Sequence, residues 1–151
     1  MRDARRMVER FHDAGRKVTP QRVAVVEIIC SSTTHPTADM VFADAHRRLR
    51  VISQRTVYQV LTDLCDLGEI QCLNIGSGAA RFDPNNDRHQ HLLCDRCGQL
   101  IDIYLDLDGL LDESFEGFRA SHADVVLRGT CRTCADDRGA RRRAPSRADS
   151  H

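Results

Sequence analysis

The chain lacks any apolar run long enough for a membrane. Nothing in its 151 residues approaches the roughly 20 apolar residues of a spanning helix. It also lacks the apolar core of a secretory signal, because the first ten residues, Met1 to Arg10, are dense in charge. Both absences point to the cytoplasm, where thiols stay reduced. Net charge is absent as well: 22 Lys/Arg balance 22 Asp/Glu, so bulk electrostatics argues neither for nor against nucleic acid. There is no internal repeat. No activated nucleophile and no substrate-cradling loop stands out, which argues against an enzyme.

What is present is unevenly placed. Residues 1–75 carry 11 Lys/Arg against 9 Asp/Glu, a net of +2. Residues 76–134 carry 6 against 10, a net of −4, and residues 135–151 carry 5 against 3, a net of +2. The acidic middle is a poor surface for DNA, so nucleic-acid contact belongs to the first half. Seven cysteines in a reducing compartment point to metal or thiol redox chemistry before disulfides.

Helical periodicity runs through the first part. Residues 4–14 place Met7, Val8, Phe11 and Ala14 on one side and stop at Gly15. Thr19 and Pro20 form a helix start, a hydroxyl cap followed by proline at the first helical position, ahead of the apolar run Val23–Ile29. Thr37 caps a third helix, and Ser53 caps a fourth carrying Val57, Val60, Leu61, Leu64 and Leu67 at helical spacing until Gly68. A β-hairpin follows, residues 70–75 and 79–82 around Gly76-Ser77-Gly78. Helices and then a hairpin describe a winged helix-turn-helix; the plainer reading is some other small α+β domain. A loop at Pro84-Asn85-Asn86-Asp87 marks the boundary. Beyond it, residues 91–94 and 99–104 read as strands, 108–120 as a helix and 123–127 as a strand. After Cys134 the composition turns polar, with Arg141-Arg142-Arg143, and predicts a disordered, solvated tail.

Two CxxC pairs, Cys94/Cys97 and Cys131/Cys134, stand 33 residues apart. Each turn can aim two sulfurs at one metal, and Gly98 leaves room for the first. Four thiolates complete a tetrahedron with no open position, which suits structural zinc better than a redox disulfide or an iron–sulfur centre. A thioredoxin-like reading of one pair lacks its βαβ context. The zinc would tie the start of the second domain to its end, so metal loss should unfold it. Cys30, Cys65 and Cys72 lack such spacing and read as small buried hydrophobes.

A second set mixes nitrogen and oxygen. His89 and His91 are two apart, so on a strand both rings leave the same face. Asp102 falls on the next strand, and His35 lies between two helices. Such a donor set suits Fe(II), Mn(II), Ni(II) or Zn(II). Taken alone, His35 reads as a surface or capping histidine and Asp102 as a solvent-facing carboxylate.

In combination these segments resemble the Fur (ferric uptake regulator) family of metal-dependent repressors. The resemblance runs from about Val18 to Cys134. It rests on Thr19-Pro-Gln-Arg22, His35-Pro-Thr-Ala38, Thr56-Val-Tyr58 with Leu61, Ala80-Arg-Phe-Asp83, His89-Gln-His-Leu-Leu-Cys94, Cys97-Gly98, Ile101-Asp102 and Cys131-Arg-Thr-Cys134. It implies an α+β chain with a winged helix-turn-helix DNA-binding domain (residues 1–83), a hinge (84–88) and a small α/β dimerisation domain with a four-cysteine zinc site (89–134), then the tail (135–151). It further implies a homodimer on a palindromic operator in double-stranded DNA. The regulatory metal, Fe(II) or Mn(II), would sit on His35, Asp83, His89, His91 and Asp102, bridging the two domains. Recognition would use the fourth helix through Gln54, Arg55 and Tyr58, with Lys17 and Arg22 on phosphates. Many members carry arginine after that tyrosine; here it is Gln59.

Asp102 is the ligand type of the peroxide-sensing, PerR-like branch, where iron sensors usually carry glutamate, and Asp83 matches the same branch. A further metal site of other members would use the positions of Arg88 and Gln90, and His122; the first two side chains do not suit it. The resemblance therefore implies a peroxide-responsive repressor acting through Fe(II)-catalysed oxidation of a ligating histidine, His35 or His89. The alternatives are an iron-responsive Fur-type repressor or, in another class, a zinc-stabilised redox or interaction protein.

Overall fold

The computed structural model describes residues 3–76, 78–107, 109, 114, 115, 117–119 and 124–136. The chain divides into two compact units, Met1–Asp87 and Arg88–His151. The expected tail lies outside the described residues from position 137 onward, as does His122.

The first unit opens with four helices: α1 (Ala4–Asp13), α2 (Pro20–Ser31), α3 (Ala38–Arg48) and α4 (Gln54–Asp66). A side-chain oxygen caps each of them. Asp3 accepts from the Arg5 N–H at 2.9 Å, Thr19 from Arg22 at 3.3 Å, Thr37 from Met40 at 3.3 Å and Ser53 from Thr56 at 3.1 Å. These bonds satisfy donors that the first helical turn leaves open, and the three sequence-read caps fall where they were expected. α2 is apolar nearly all round, with Ala24, Val25, Val26, Ile28 and Ile29 buried, so it becomes the central helix and packs against α1, α3 and α4. Val25, Val26, Ile29, Val41, Val57, Leu61 and Leu64 are fully buried, and each contributes roughly 1.5–3 kcal/mol. Strands β1 (Gln71–Leu73) and β2 (Arg81–Asp83) pair antiparallel beside the helices, with Cys72 opposite Phe82, and Phe82 joins the helical core.

The second unit is built on a three-stranded sheet in the order β4-β3-β7, where β3 is Gln90–Cys94, β4 is Leu100–Ile103 and β7 is Val126–Gly129. β3 runs antiparallel to β4 and parallel to β7. The register separates two faces. His91 stands opposite Asp102 and Val126, whereas Leu92 stands opposite Ile101 and Leu127. Directly paired residues share a face, so the histidine–carboxylate row and the aliphatic row lie on opposite sides. Leu92, Ile101 and Leu127 are 36%, 41% and 46% exposed.

Two expectations change. Of the helix read over 108–120, Gly109 is helical among the described residues, but the later ones form a short antiparallel pair, β5 (Ser114–Phe115) and β6 (Phe118–Arg119). Gly117 sits between them at φ 87°, a left-handed position that favours glycine and ends any helix. The last strand starts at Val126 rather than at 123 and continues to Gly129.

Candidate metal centres

The sheet brings the two CxxC segments together. β3 ends at Cys94, whose register partner on β7 is Gly129, so Cys131 follows two residues beyond that partner. The Asp95 N–H donates to the Gly129 carbonyl at 2.8 Å and continues the pairing past the strand end. The chain then turns: the Gly98 N–H donates to the Cys94 carbonyl at 2.8 Å, and Gly98 adopts φ 70°. Cys134 lies on a helical turn over residues 132–136. The four sulfurs of Cys94, Cys97, Cys131 and Cys134 all lie within 4.8 Å of one another. Cys97 Sγ and Cys131 Sγ are 3.7 Å apart, close to the edge of about 3.8 Å that a tetrahedron with Zn–S bonds of 2.3 Å requires. Arg96 donates to the Cys134 carbonyl and ties the first turn to the second.

Electrostatics prepares one thiolate and resists another. The Cys131 N–H, which donates to Cys94 Sγ at 3.3 Å, and the N–H groups of Cys97 and Arg96 lower the Cys94 pKa to about 6. The Cys134 thiol is pushed up to about 12, first by its contact with Cys131 and then by burial and the other two sulfurs. Negative charge already on Cys94 makes further ionisation costly, and a divalent soft cation removes that cost. The set fits structural zinc: four sulfur donors and no open position.

The nitrogen–oxygen donors divide between the units. In the second unit, His89 lies just before β3, His91 is within it, and Asp102 is opposite on β4. His89 Nε2 and His91 Nε2 are 3.0 Å apart, and Asp102 Oδ1 is 3.7 Å from the first and 3.8 Å from the second. Both imidazoles are buried and Asp102 is partly exposed. Three donor atoms thus converge on one point. In the first unit, the Phe82 N–H donates to the Pro36 carbonyl at 3.0 Å, and Thr37 bridges to Arg81. That clip holds β2 beside the α2–α3 turn and sets His35 Nε2 3.5 Å from Asp83 Oδ2, both buried. His35 adopts φ 48°, a strained position of the kind that clusters at functional sites. Asp83 Oδ1 accepts the Asn85 N–H at 2.7 Å, which fixes the carboxylate. These imidazole and carboxylate pairs suit a borderline-to-hard divalent metal.

A sequence profile of the ferric uptake regulator family matches residues 13–128. The chain belongs to that family. It is 33% identical over 127 residues to the peroxide-responsive repressor PerR of Staphylococcus epidermidis, covering 82% of this chain and 85% of that one. A solved PerR from Streptococcus pyogenes, described in terms of peroxide sensing and gene regulation, matches at 25% identity with a TM-score of 0.52, covering 89% and 94% of the two chains. The Helicobacter pylori regulator Fur shares the fold at 21% identity and a TM-score of 0.76, over 89% of this chain and 95% of that one. Fur-family proteins are dimeric, DNA-binding metalloregulators with a winged-helix domain and a dimerisation domain, and this chain has both parts of that architecture.

Within this Fur-family chain, α4 exposes Gln54, Arg55, Tyr58 and Gln59 from its first two turns. Lys17 is exposed as well. Arg22 is committed inward. It donates to the Lys17 carbonyl at 2.9 Å, lies 3.3 Å from Asp63 Oδ2, and covers the Phe11 ring at 5.3 Å. Asp63 is the residue that the sequence reading passed over. It is 1% exposed, accepts from Gln59 at 2.9 Å, and pairs with both Arg16 and Arg22. Gln59 therefore turns back onto its own helix four residues on. The i,i+4 spacing of Gln59 and Asp63 was the one local signal for it. Gln90 is likewise buried, accepting the Leu105 N–H at 2.6 Å, while Arg88 is exposed.

Proposed function

We propose that this chain is a peroxide-responsive, metal-dependent transcriptional repressor, not an enzyme, acting in the cytoplasm as a homodimer on a palindromic operator. The observation that carries the reading is the donor triad His89, His91 and Asp102, with an aspartate directly across the sheet from His91. Its PerR relatives at 33% identity support the same branch.

In this reading His35 and Asp83 from the first unit join the triad on one ion. The five side chains then hold a single relation between the DNA-binding and dimerisation units, and that relation sets the spacing of the two α4 helices on half-sites of an operator. Metal and operator select the same conformer, so each strengthens binding of the other. Gln54, Arg55 and Tyr58 would read base edges and phosphates, with Lys17 on the backbone. Arg22 would reach phosphate only by leaving Asp63. The exposed row Leu92, Ile101 and Leu127 supports pairing of two copies through that sheet face. Bound Fe(II) supplies the electron that turns hydrogen peroxide into a strong local oxidant, which Mn(II) does not. His35 and His89 are the side chains that would take up oxygen; an oxidised ring is a poorer donor, the two units part, and DNA is released.

The test loads the zinc-containing chain with Fe(II) or Mn(II), adds hydrogen peroxide, and follows operator binding and tryptic masses. The Fe(II) form should release DNA and gain one oxygen on peptide 23–47 or 89–96, while the Mn(II) form keeps its DNA. Operator binding by the Fe(II) form that persists through peroxide, with no oxygen gained, would favour the iron-responsive alternative and sink this reading.

A further inference from the structure

Three cysteines lie outside the zinc cluster. Cys30 packs against Met7, sulfur to sulfur at 3.4 Å. The other two are neighbours. Cys65 sits one residue before the end of α4 and is half-buried. There the chain doubles back: the Gly68 N–H donates to the Cys65 carbonyl and the Glu69 N–H to the Leu64 carbonyl, each at 2.9 Å, with Gly68 at φ 68°. Ile70, 3% exposed, anchors the return in the core. Two residues later Cys72, exposed at the centre of β1, returns beside the end of α4, where its thiol is near enough to act on that of Cys65. A helix end, a tight reversal and a strand thus converge on two sulfurs that the metal chemistry does not use.

We propose that Cys65 and Cys72 are an oxidisable pair, which hydrogen peroxide or an organic hydroperoxide converts to an intramolecular disulfide joining the last turn of α4 to β1. The exposed Cys72 meets the oxidant first. Its sulfur attacks one peroxide oxygen, the O–O bond breaks, and Cys72 becomes a sulfenic acid while one water (or, from an organic hydroperoxide, the alcohol) leaves. Cys65 sulfur then attacks the Cys72 sulfur. The S–S bond forms, the S–O bond breaks, and the departing hydroxide takes the Cys65 proton to leave as water. The two sulfurs together lose two electrons and the peroxide gains them. Burial first, and then the adjacent Cys72 and Asp66, push the Cys65 thiol up to about 12, so it is the slow partner. The sulfenic acid on Cys72 consequently lasts long enough to be trapped. The pair needs no metal and stands independently of the histidine chemistry above.

One tryptic peptide, Thr56–Arg81, holds both cysteines and no other, so the experiment is direct. The zinc-loaded chain, without iron, is treated with hydrogen peroxide, unfolded, alkylated with iodoacetamide and digested. The peptide should shift from doubly alkylated to unalkylated and two hydrogens lighter, and should take both alkyl groups after reduction. In the Cys65→Ser chain the same peptide should instead carry a dimedone adduct on Cys72. The proposal is overturned if both cysteines remain alkylatable after oxidation. It is equally overturned if Cys72 goes to the sulfinic acid beside an alkylated Cys65, or if either bonds to a cysteine of another peptide. Oxidised zinc ligands would appear in other peptides, and oxidised histidines in peptides 23–47 and 89–96.

Discussion

The thiolate set and part of the nitrogen–oxygen set draw on the same sheet, yet the two sets are distributed differently. The four sulfurs belong to one unit, approach within 4.8 Å of each other, and leave a metal no open position. The imidazole and carboxylate donors are shared out, His35 and Asp83 in the first unit and His89, His91 and Asp102 in the second. A set complete within one unit can hold its metal permanently and serve as scaffold. In the proposed reading the divided set is completed only when the units adopt a particular relation, which would make its metal exchangeable and its occupancy informative. The difference lies in topology as much as in ligand softness.

The largest expected effect breaks the permanent set. Cys97→Ser should abolish stoichiometric zinc and unfold the second unit, since structural zinc sites contribute roughly 10–16 kcal/mol at neutral pH. Amide exchange would show β3 and β4 losing protection while α2 and α4 keep theirs; protection retained in β3 without zinc would refute the scaffold role. Acid should act in the same direction. Zinc binding displaces thiol protons, so falling pH favours release, and Cys94 holds its charge until the pH falls through about 6. A chelating dye should therefore report zinc retained at about pH 7.5 and released increasingly as the pH falls into the acid range.

The next effects test whether the two units are separable. Asp63→Ala removes the shared partner of Arg16 and Arg22 and should destabilise the first unit by about 1.5–3 kcal/mol, with zinc content unchanged. Urea unfolding with parallel metal analysis measures both. His91→Ala should weaken Mn(II) binding by more than the ~10–100-fold that loss of an outer-shell partner costs, again with zinc retained. Co-release of zinc would show that the two sets are not independent. Smallest is Thr37→Ala, which removes the cap of α3 next to the His35 turn and should cost about 1 kcal/mol in thermal unfolding.

Much of this was legible in the sequence because its determinants are local. Thr19, Thr37 and Ser53 announce helix starts through the bond each makes three residues on, and each cap forms. The CxxC pairs announce themselves because the turn within each pair is local too. What escaped depends on distant partners. Residues 108–120 carry a helix-like scatter of apolar positions, which the β5–β6 pairing and the left-handed Gly117 override. Asp63 reads as an ordinary polar residue on α4 until Arg16 and Arg22, more than forty positions upstream, fold over it. The thiol pair at Cys65 and Cys72 needed the reversal at Gly68 to be seen.

The alternation of faces on β3 gives the zinc site a role akin to that of a reading-frame marker. Side chains on a strand repeat every two residues, so a slip of one position between β3 and its neighbours would carry His91 and Asp102 to the side now held by Leu92, Ile101 and Leu127. The imidazole and carboxylate donors would then lie on the exposed aliphatic face, and the aliphatic side chains among the remaining donors. A cation held by Cys94 at the end of β3 and by Cys131 just past β7 permits only one stagger. The spacing between each strand and its cysteines is thus a fixed length, intolerant of single insertions even where the inserted side chain would touch nothing.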